Sequence, residues 1–192
     1  MTMVVGYGTL LSRHSLQSTI GGNEADVMRC LSVTVPGWRR LYNLRAAHYT
    51  PSCVLGTPGV EASAANVEPA PGCAFNGLMF EVNAAQLASL DARERCYRRI
   101  EVEMFDFSTE RSLGVGFTYT GAADRASLVR DSSCLLPHWR DIALARTGAY
   151  QVDNTFGAFW DATSFLADGV TPVLERYRDH LAQMAVDAST LT

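Results

Sequence analysis

The sequence lacks the cysteine and histidine patterns of metal-binding and redox proteins. Its five cysteines are an odd number, and no two of them are closer than 20 residues. Such spacing gives neither a zinc ribbon nor a CxxC redox pair. The four histidines are dispersed, and none stands at metal-ligand spacing from another. We therefore expect reduced, cytosolic thiols and neither a metal nor another cofactor.

Excess basic charge is also missing. The chain has 16 Lys and Arg against 20 Asp and Glu, for a net charge of −4. Its densest basic cluster, Arg93 to Arg99, is interrupted by Glu94 and followed by Glu101 and Glu103. Because binding to a phosphate backbone depends on clustered positive charge, nucleic acid is not expected as a partner.

No long hydrophobic run and no strong catalytic motif is present. The apolar stretch Met3 to Leu11 contains two glycines, follows no basic leader and is far short of a membrane span. We therefore expect a cytoplasmic protein with no membrane partner. The sequence contains no GxSxG, HExxH or GxxxxGK[ST], and Gly6-Tyr7-Gly8 lacks the third glycine of a dinucleotide fingerprint.

The length of 192 residues, with 47% hydrophobic residues, predicts a single domain over residues 1–192. A chain of this size buries roughly 70% of its unfolded surface, so its core needs no metal or disulfide. Residues before about 137 are mostly strand-like, and the segment after 137 is mostly helical. The whole pattern predicts a small β-sheet or β-barrel flanked by helices.

Turn and cap residues place several elements. The apolar run that stops at Gly6 predicts a buried strand, and Ser12 is a candidate cap for a short helix. Asn83-Ala84-Ala85-Gln86 predicts a helix start close to a capping box. Pro36-Gly37 predicts a bulge or turn. The remaining predictions are strands within residues 27–44, near 64–67, over 77–82, and as an antiparallel pair at 97–107 and 114–119, a loop over most of 46–71, and helices over 139–149, 156–166 and 173–186.

The first candidate site is the end of the N-terminal strand, Val5-Gly6-Tyr7-Gly8-Thr9-Leu10. Glycines there let the backbone approach a ligand closely or take a positive φ. Successive N–H groups can then point into one concavity, a nest for an anion such as a carboxylate. A tight turn that simply ends a buried strand is the alternative interpretation.

The second candidate site is Glu94. Leu87, Leu90 and Glu94 are spaced i, i+3 and i+7 and therefore share one helix face. Burial and the negative end of the helix dipole both raise the pKa of such a carboxyl, as a general base working near neutrality requires. The alternative is a salt-bridged surface glutamate at a frayed helix end. The arginines that could pair with it are Arg93, Arg95, Arg98 and Arg99.

Taken in order, these segments resemble the γ-glutamylcyclotransferase superfamily, which includes AIG2-like proteins. Two motifs carry the resemblance: Tyr7-Gly8-Thr9-Leu10 is similar to the family's YGS/YGT loop, and Leu90-Asp91-Ala92-Arg93-Glu94 to its LDxxE. The similarity touches the chain from residue 3 to about 169. Further segments that resemble the family are Pro36-Gly37-Trp38 through Asn43, Asn66-Val67-Glu68-Pro69, Gly77-Leu78-Met79-Phe80, Tyr97-Arg98-Arg99-Ile100-Glu101-Val102, Tyr119, and Pro137 to Gly157.

The resemblance implies an α+β fold, a small mixed β-barrel with peripheral helices. It also implies release of 5-oxoproline from a γ-glutamyl compound without a cofactor, through attack of the substrate's own α-amine on its γ-carbonyl. Glu94 would be the catalytic general acid/base. The resemblance places substrate binding at Gly6, Tyr7, Gly8, Thr9, Leu10 and Tyr119, with N–H groups of the loop holding the α-carboxylate.

The implied partner is a small γ-glutamyl molecule: a γ-glutamyl amino acid, a γ-glutamyl amine, glutathione or a γ-glutamyl-protected metabolite. Residues 46–59 and the C-terminal helices are expected to shape the leaving-group side. A non-catalytic binding module of the same fold is the alternative, and its mark would be a missing or misdirected glutamate. A nucleophilic Cys96, flanked by Arg95 and Arg98, is a third hypothesis, but no histidine partner is recognisable.

Overall fold

Five long strands close into a barrel in the computed structural model, which describes residues 1–21, 30–45, 60–121 and 128–180. They are β1 (Thr2–Gly6), β2 (Leu31–Arg45), β3 (Glu61–Val82), β4 (Tyr97–Asp106) and β5 (Ser112–Gly121). Around the ring the order is β1, β3, β2, β4, β5 and back to β1. β1 and β5 are parallel, and the other neighbours are antiparallel. The predicted mixed barrel is confirmed.

Two short strands extend the sheet, and helices cover the barrel. β6 (Leu135–Pro137) runs parallel to β3, and β7 (Ser164–Leu166) runs parallel to β2. None of the helices within the described ranges is long and apolar enough to cross a bilayer. The helices are α1 (Arg13–Ile20), α2 (Ala84–Arg93), α3 (Trp139–Val152) and α4 (Asn154–Ala162), and residues 173–180 are also helical.

The predicted helix starts are confirmed. The Ser12 side chain accepts a hydrogen bond from the N–H of Ser15 and caps α1. At α2, the Asn83 side chain accepts from the N–H of Gln86, and the Gln86 side chain accepts from the N–H of Asn83, both at 3.0 Å. This reciprocal capping box fixes where α2 begins and so where its last turn ends.

The strand predicted near residues 64–67 is confirmed, but the loop predicted around it is wrong from residue 61 to residue 71, because β3 is a single strand over Glu61–Val82. Its first half pairs with β2 from Ser63, opposite Arg45, to Pro69, opposite Trp38. Cross-strand backbone hydrogen bonds therefore hold a segment whose small residues have little strand preference of their own. The register shift between Pro36 and Trp38 is the predicted bulge. Residues 46–59, expected to shape the leaving-group side, lie outside the described residues.

The predicted helix over residues 156–166 ends at Ala162, and β7 takes its place. The Ser164 hydroxyl donates to the Trp160 carbonyl at 2.7 Å and accepts from the buried Arg40 guanidinium at 2.9 Å. The conformation at Ser164 thus depends on a contact with Arg40, 124 positions earlier in the chain, and no local sequence pattern predicts such a contact. Of the helix predicted over 173–186, residues 173–180 are helical and the rest lie outside the described residues.

Three apolar clusters position the site. One fills the barrel around Val5, Tyr7 and Phe75. A second lies between the barrel and α3 and α4, and includes Tyr42 and Trp160. The third packs α1 and α2 against the barrel through Leu16, Leu90 and Tyr119, among others. The end of β1 and the last turn of α2 therefore come together beside α1.

Candidate active site

The chain after β1 forms one side of a cavity. Residues Thr9–Leu11 make one turn of 3-10 helix, in which the N–H of Leu11 donates to the carbonyl of Gly8 at 3.0 Å. No backbone carbonyl of the described residues accepts a hydrogen bond from the N–H groups of Gly8, Thr9 or Leu10. Those three donors are available to a ligand, which is the arrangement an anion nest needs.

The two glycines of this loop are needed for different reasons. A Cβ on Gly6 would lie 2.6 Å from the Cβ of Leu10, so only glycine lets the turn fold back this tightly. A Cβ on Gly8 would meet only the Cβ of Ala65, at 3.4 Å. Gly8 has a φ of −105°, so of the two roles expected for glycine in this loop, close approach and a positive φ, the second does not apply to Gly8.

Two tyrosines are fixed beside the loop. The Tyr7 hydroxyl donates to the carbonyl of Tyr119 at 2.7 Å, and its ring packs edge-on against Phe75. The Tyr119 hydroxyl donates to Asp91 Oδ1 at 2.8 Å, and Arg99 Nε lies 3.3 Å from the same oxygen. Burial, then the hydrogen bond to Asp91, raises the pKa of Tyr119. Asp91 of the LDxxE segment therefore orients a cavity-lining phenol.

Glu94 closes the C-terminal end of α2, and its N–H donates to the carbonyl of Leu90 at 2.8 Å. Leu90 is fully buried and Leu87 is partly buried in the cluster that packs α2 against the barrel, so the helix face is the predicted one. The Glu94 side chain is 16% exposed, and its Oε1 lies 3.2 Å from Arg93 Nε. Burial raises the pKa of Glu94, while the charge of Arg93 opposes the shift.

The structure brings every residue predicted for the site to one cavity of about 170 Å³. Glu94 and the residues of the loop thus line a common space. The lining residues are Val5, Gly6, Tyr7, Gly8, Thr9, Leu10, Tyr42, Ala64, Ala65, Arg93, Glu94, Tyr97, Tyr119 and Asp141.

Sequence reasoning missed several of these residues. Tyr97 begins β4, and its hydroxyl donates to the carbonyl of Ala65 at 2.7 Å. Its position three residues after Glu94 could have indicated that it lies near the candidate site. Tyr42 comes from β2, and Asp141 from the first turn of α3. No local motif connects these two residues to the rest, because only closure of the barrel and docking of α3 place them there.

The lining of the cavity carries little net charge. Its charged side chains are Arg93, Glu94 and Asp141. Burial raises the pKa of Tyr42 and of Tyr97, so both phenols are neutral near pH 7. Within the described ranges no group of three or more His, Cys, Asp or Glu is placed to hold a metal ion. Cys96 is exposed and does not line the cavity.

Comparison with known proteins links this arrangement to one family. A family model described as gamma-glutamyl cyclotransferase, AIG2-like, matches residues 4–133, a range that contains both the loop and Glu94. No curated protein matches the chain.

Several solved structures share the fold. A yeast gamma-glutamyl cyclotransferase specific to glutathione has a TM-score of 0.57 and 14% identity, over 84% of this chain and 95% of that one. An uncharacterized protein from Homo sapiens has a TM-score of 0.57 and 13% identity, over 84% and 87% of the two chains. A structure named gamma-glutamyl cyclotransferase has a TM-score of 0.56 and 12% identity, over 95% and 98%. At these identities the likeness is one of fold.

Proposed function

The chain belongs to the gamma-glutamyl cyclotransferase, AIG2-like family, and from that premise we propose that it releases 5-oxoproline from a γ-glutamyl compound. One observation carries the proposal. A largely buried carboxylate, that of Glu94, lines the same cavity as Gly8–Leu10, whose N–H groups donate to no backbone carbonyl of the described residues. The first group suits proton transfer, and the second suits an anionic end of the substrate.

The substrate's α-carboxylate binds the N–H groups of Gly8, Thr9 and Leu10. A carboxylate that accepts several backbone N–H bonds is held strongly, because bonds to an ionised acceptor are about twice as strong as neutral ones. The glutamyl chain then extends along the cavity toward Glu94. Tyr119, held by its hydrogen bond to Asp91, closes the cavity beside the glutamyl chain of the substrate.

Ring closure needs little from the protein beyond this geometry. The attacking α-nitrogen is part of the substrate, so a folded conformer already places it near the γ-carbonyl carbon. A bond forms between those two atoms, and the bond from the γ-carbonyl carbon to the leaving nitrogen breaks. The products are 5-oxoproline and a free amine or amino acid.

Glu94 moves the protons. It first accepts a proton from the α-ammonium group, which frees the lone pair for attack, and then gives that proton to the departing nitrogen. The attacking nitrogen releases a second proton as the lactam forms, and the leaving amine takes it up to depart as an ammonium. Proton transfer by a positioned side chain contributes about 10²–10⁴-fold. The raised pKa of Glu94 brings its acidity closer to the working pH.

The test is a substrate panel. The protein is incubated with a γ-glutamyl amino acid, a γ-glutamyl amine, glutathione and a γ-glutamyl-protected amine, and 5-oxoproline is measured by mass spectrometry. Release from at least one compound is the expected result. Binding by calorimetry without release from any of them would instead favour a non-catalytic binding module of the same fold.

A further inference from the structure

Arg93 connects the loop after β1, the helix α1 and Glu94. From the last turn of α2, its Nη2 donates to the hydroxyl of Thr9 at 2.8 Å and to the hydroxyl of Ser15 at 3.2 Å. Its Nη1 donates to the carbonyl of Ser15 at 3.3 Å and to the hydroxyl of Thr19. Its Nε faces Glu94 Oε1 at 3.2 Å. The Gly8–Leu10 segment, called the substrate loop below, α1 and Glu94 therefore all contact the side chain of Arg93.

These contacts involve all three nitrogens of the guanidinium. An arginine has five N–H donors in a fixed planar fork, and Arg93 makes four hydrogen bonds and one ion pair with other residues. A guanidinium that bound the substrate carboxylate directly would have to give up some of these partners. Although Arg93 lines the cavity, its geometry is that of a side chain that holds other groups in place.

We propose that Arg93 is a positioning residue that fixes the substrate loop and Glu94 relative to each other and, as a cation beside the carboxylate, favours its ionised form. The proposal rests on the proposed function, in which the loop binds the substrate and Glu94 accepts its proton. It adds that the two halves of the site, which come from β1 and α2, depend on one arginine for their relative placement.

The electrostatic part follows from the surroundings of Glu94. The other titratable groups that line the cavity are the phenols of Tyr7, Tyr42, Tyr97 and Tyr119 and the carboxylate of Asp141. The phenols are neutral near pH 7, and Asp141 is an acid, so none of them can stabilise the Glu94 carboxylate by opposite charge. Arg93 is the cation that lowers the pKa of Glu94 against the effect of burial.

If Arg93 only stabilised the fold, its loss would have different effects. A basic side chain in the last turn of a helix interacts favourably with the helix dipole, so loss of Arg93 should lower stability in any case. Such a loss would reduce Tm without moving the pH dependence of turnover. The pH profile and the split between KM and kcat therefore separate positioning from simple stabilisation.

The experiment compares Arg93→Gln, Arg93→Lys and a matched control, Arg98→Gln, which removes the same charge from an exposed position on β4. In Arg93→Gln the acid limb of the kcat/KM profile should move to higher pH, because Glu94 loses the charge that favours its ionised form. KM should rise about 10-fold, since the bond to Thr9 is lost. Arg93→Lys should keep the acid limb near its wild-type position but share the higher KM, because an ammonium lacks the fork.

Unchanged profiles and KM values in both Arg93 variants, with the wild type active, would overturn the proposal and leave the proposed function intact. If the wild type releases 5-oxoproline from no compound, the proposed function fails instead. In that case the effect of the Arg93 charge on the pKa of Glu94 is measured by NMR titration of the Glu94 carboxyl in wild type, Arg93→Gln and Arg98→Gln. A pKa of Glu94 that rises only in Arg93→Gln supports the electrostatic link, and equal values in all three refute it.

Discussion

Replacing Glu94 by glutamine separates a catalytic role from a structural one. Glutamine keeps the size and the hydrogen bonding of the side chain but cannot accept the ammonium proton. We therefore expect kcat to fall by about 10²-fold or more. KM should change little if, as proposed, the α-carboxylate is held by the loop N–H groups and not by Glu94.

The structure also predicts what the substitution does to folding. The Glu94 side chain is only 16% exposed, so a neutral replacement avoids part of the cost of burying a charge. The ion pair with Arg93 is lost, and a partly exposed pair of this kind stabilises by about 0–1 kcal/mol. The two changes oppose each other. Near neutral pH the free energy of unfolding should stay within about 1 kcal/mol of wild type.

The difference between the two proteins should depend on pH with a definite sign. The pKa of Glu94 is raised from 4.5 in the folded protein, so the unfolded chain loses this proton first as the pH rises. The wild type therefore loses stability relative to Glu94→Gln as the pH rises above 4.5 and through the folded pKa. In thermal unfolding, the Tm of the variant minus that of the wild type should increase over this window.

Activity is measured as 5-oxoproline release, with Glu101→Gln as the control because Glu101 is exposed on β4. The control should keep wild-type turnover. Turnover of Glu94→Gln within a few-fold of wild type would remove this residue from the mechanism. A Tm difference that does not grow with pH would contradict the buried carboxylate.

Three further predictions concern the loop, metals and the thiol. Gly6→Ala should raise KM by about 10-fold, because the added Cβ would displace Leu10. Gly8→Ala should have a smaller effect on KM, because its Cβ would meet only Ala65. Equal KM values in two variants that calorimetry shows to be folded would contradict these roles of the two glycines. Activity should survive EDTA because the nucleophile is tethered, and loss with recovery on adding zinc would refute it. Cys96→Ser should keep near-normal turnover, and inactivity would revive the thiol hypothesis.

The parts of the fold that could be predicted are those that depend on local sequence patterns. The capping box at Asn83 and the antiparallel pair β4–β5 depend on residues near one another in the chain, and both are confirmed. Apart from the strand predicted near 64–67, the first half of β3 was not predictable in this way, and neither was the strand β7. Each is held by pairing with β2, and Ser164 of β7 depends on Arg40.

In the candidate site, too, local sequence patterns predict some residues, and tertiary packing alone places the others. The loop after β1 and the buried face of α2 could be recognised from glycines and helical spacing, and the cavity contains both. Tyr42 and Asp141 could not, since they reach the cavity only through tertiary packing. The contacts of Arg93 were also hidden, because the sequence offered four candidate arginines near Glu94 and no means to choose among them.

In the proposed reaction, the substrate's own amine and not water breaks the γ-glutamyl bond. Turnover of an accepted γ-glutamyl compound in water enriched in oxygen-18, followed by mass spectrometry of the products, tests it directly. Intramolecular attack predicts 5-oxoproline without solvent oxygen, released together with the free amine. Glutamate carrying one oxygen-18 in its γ-carboxylate as the first product would identify a hydrolase and contradict the account.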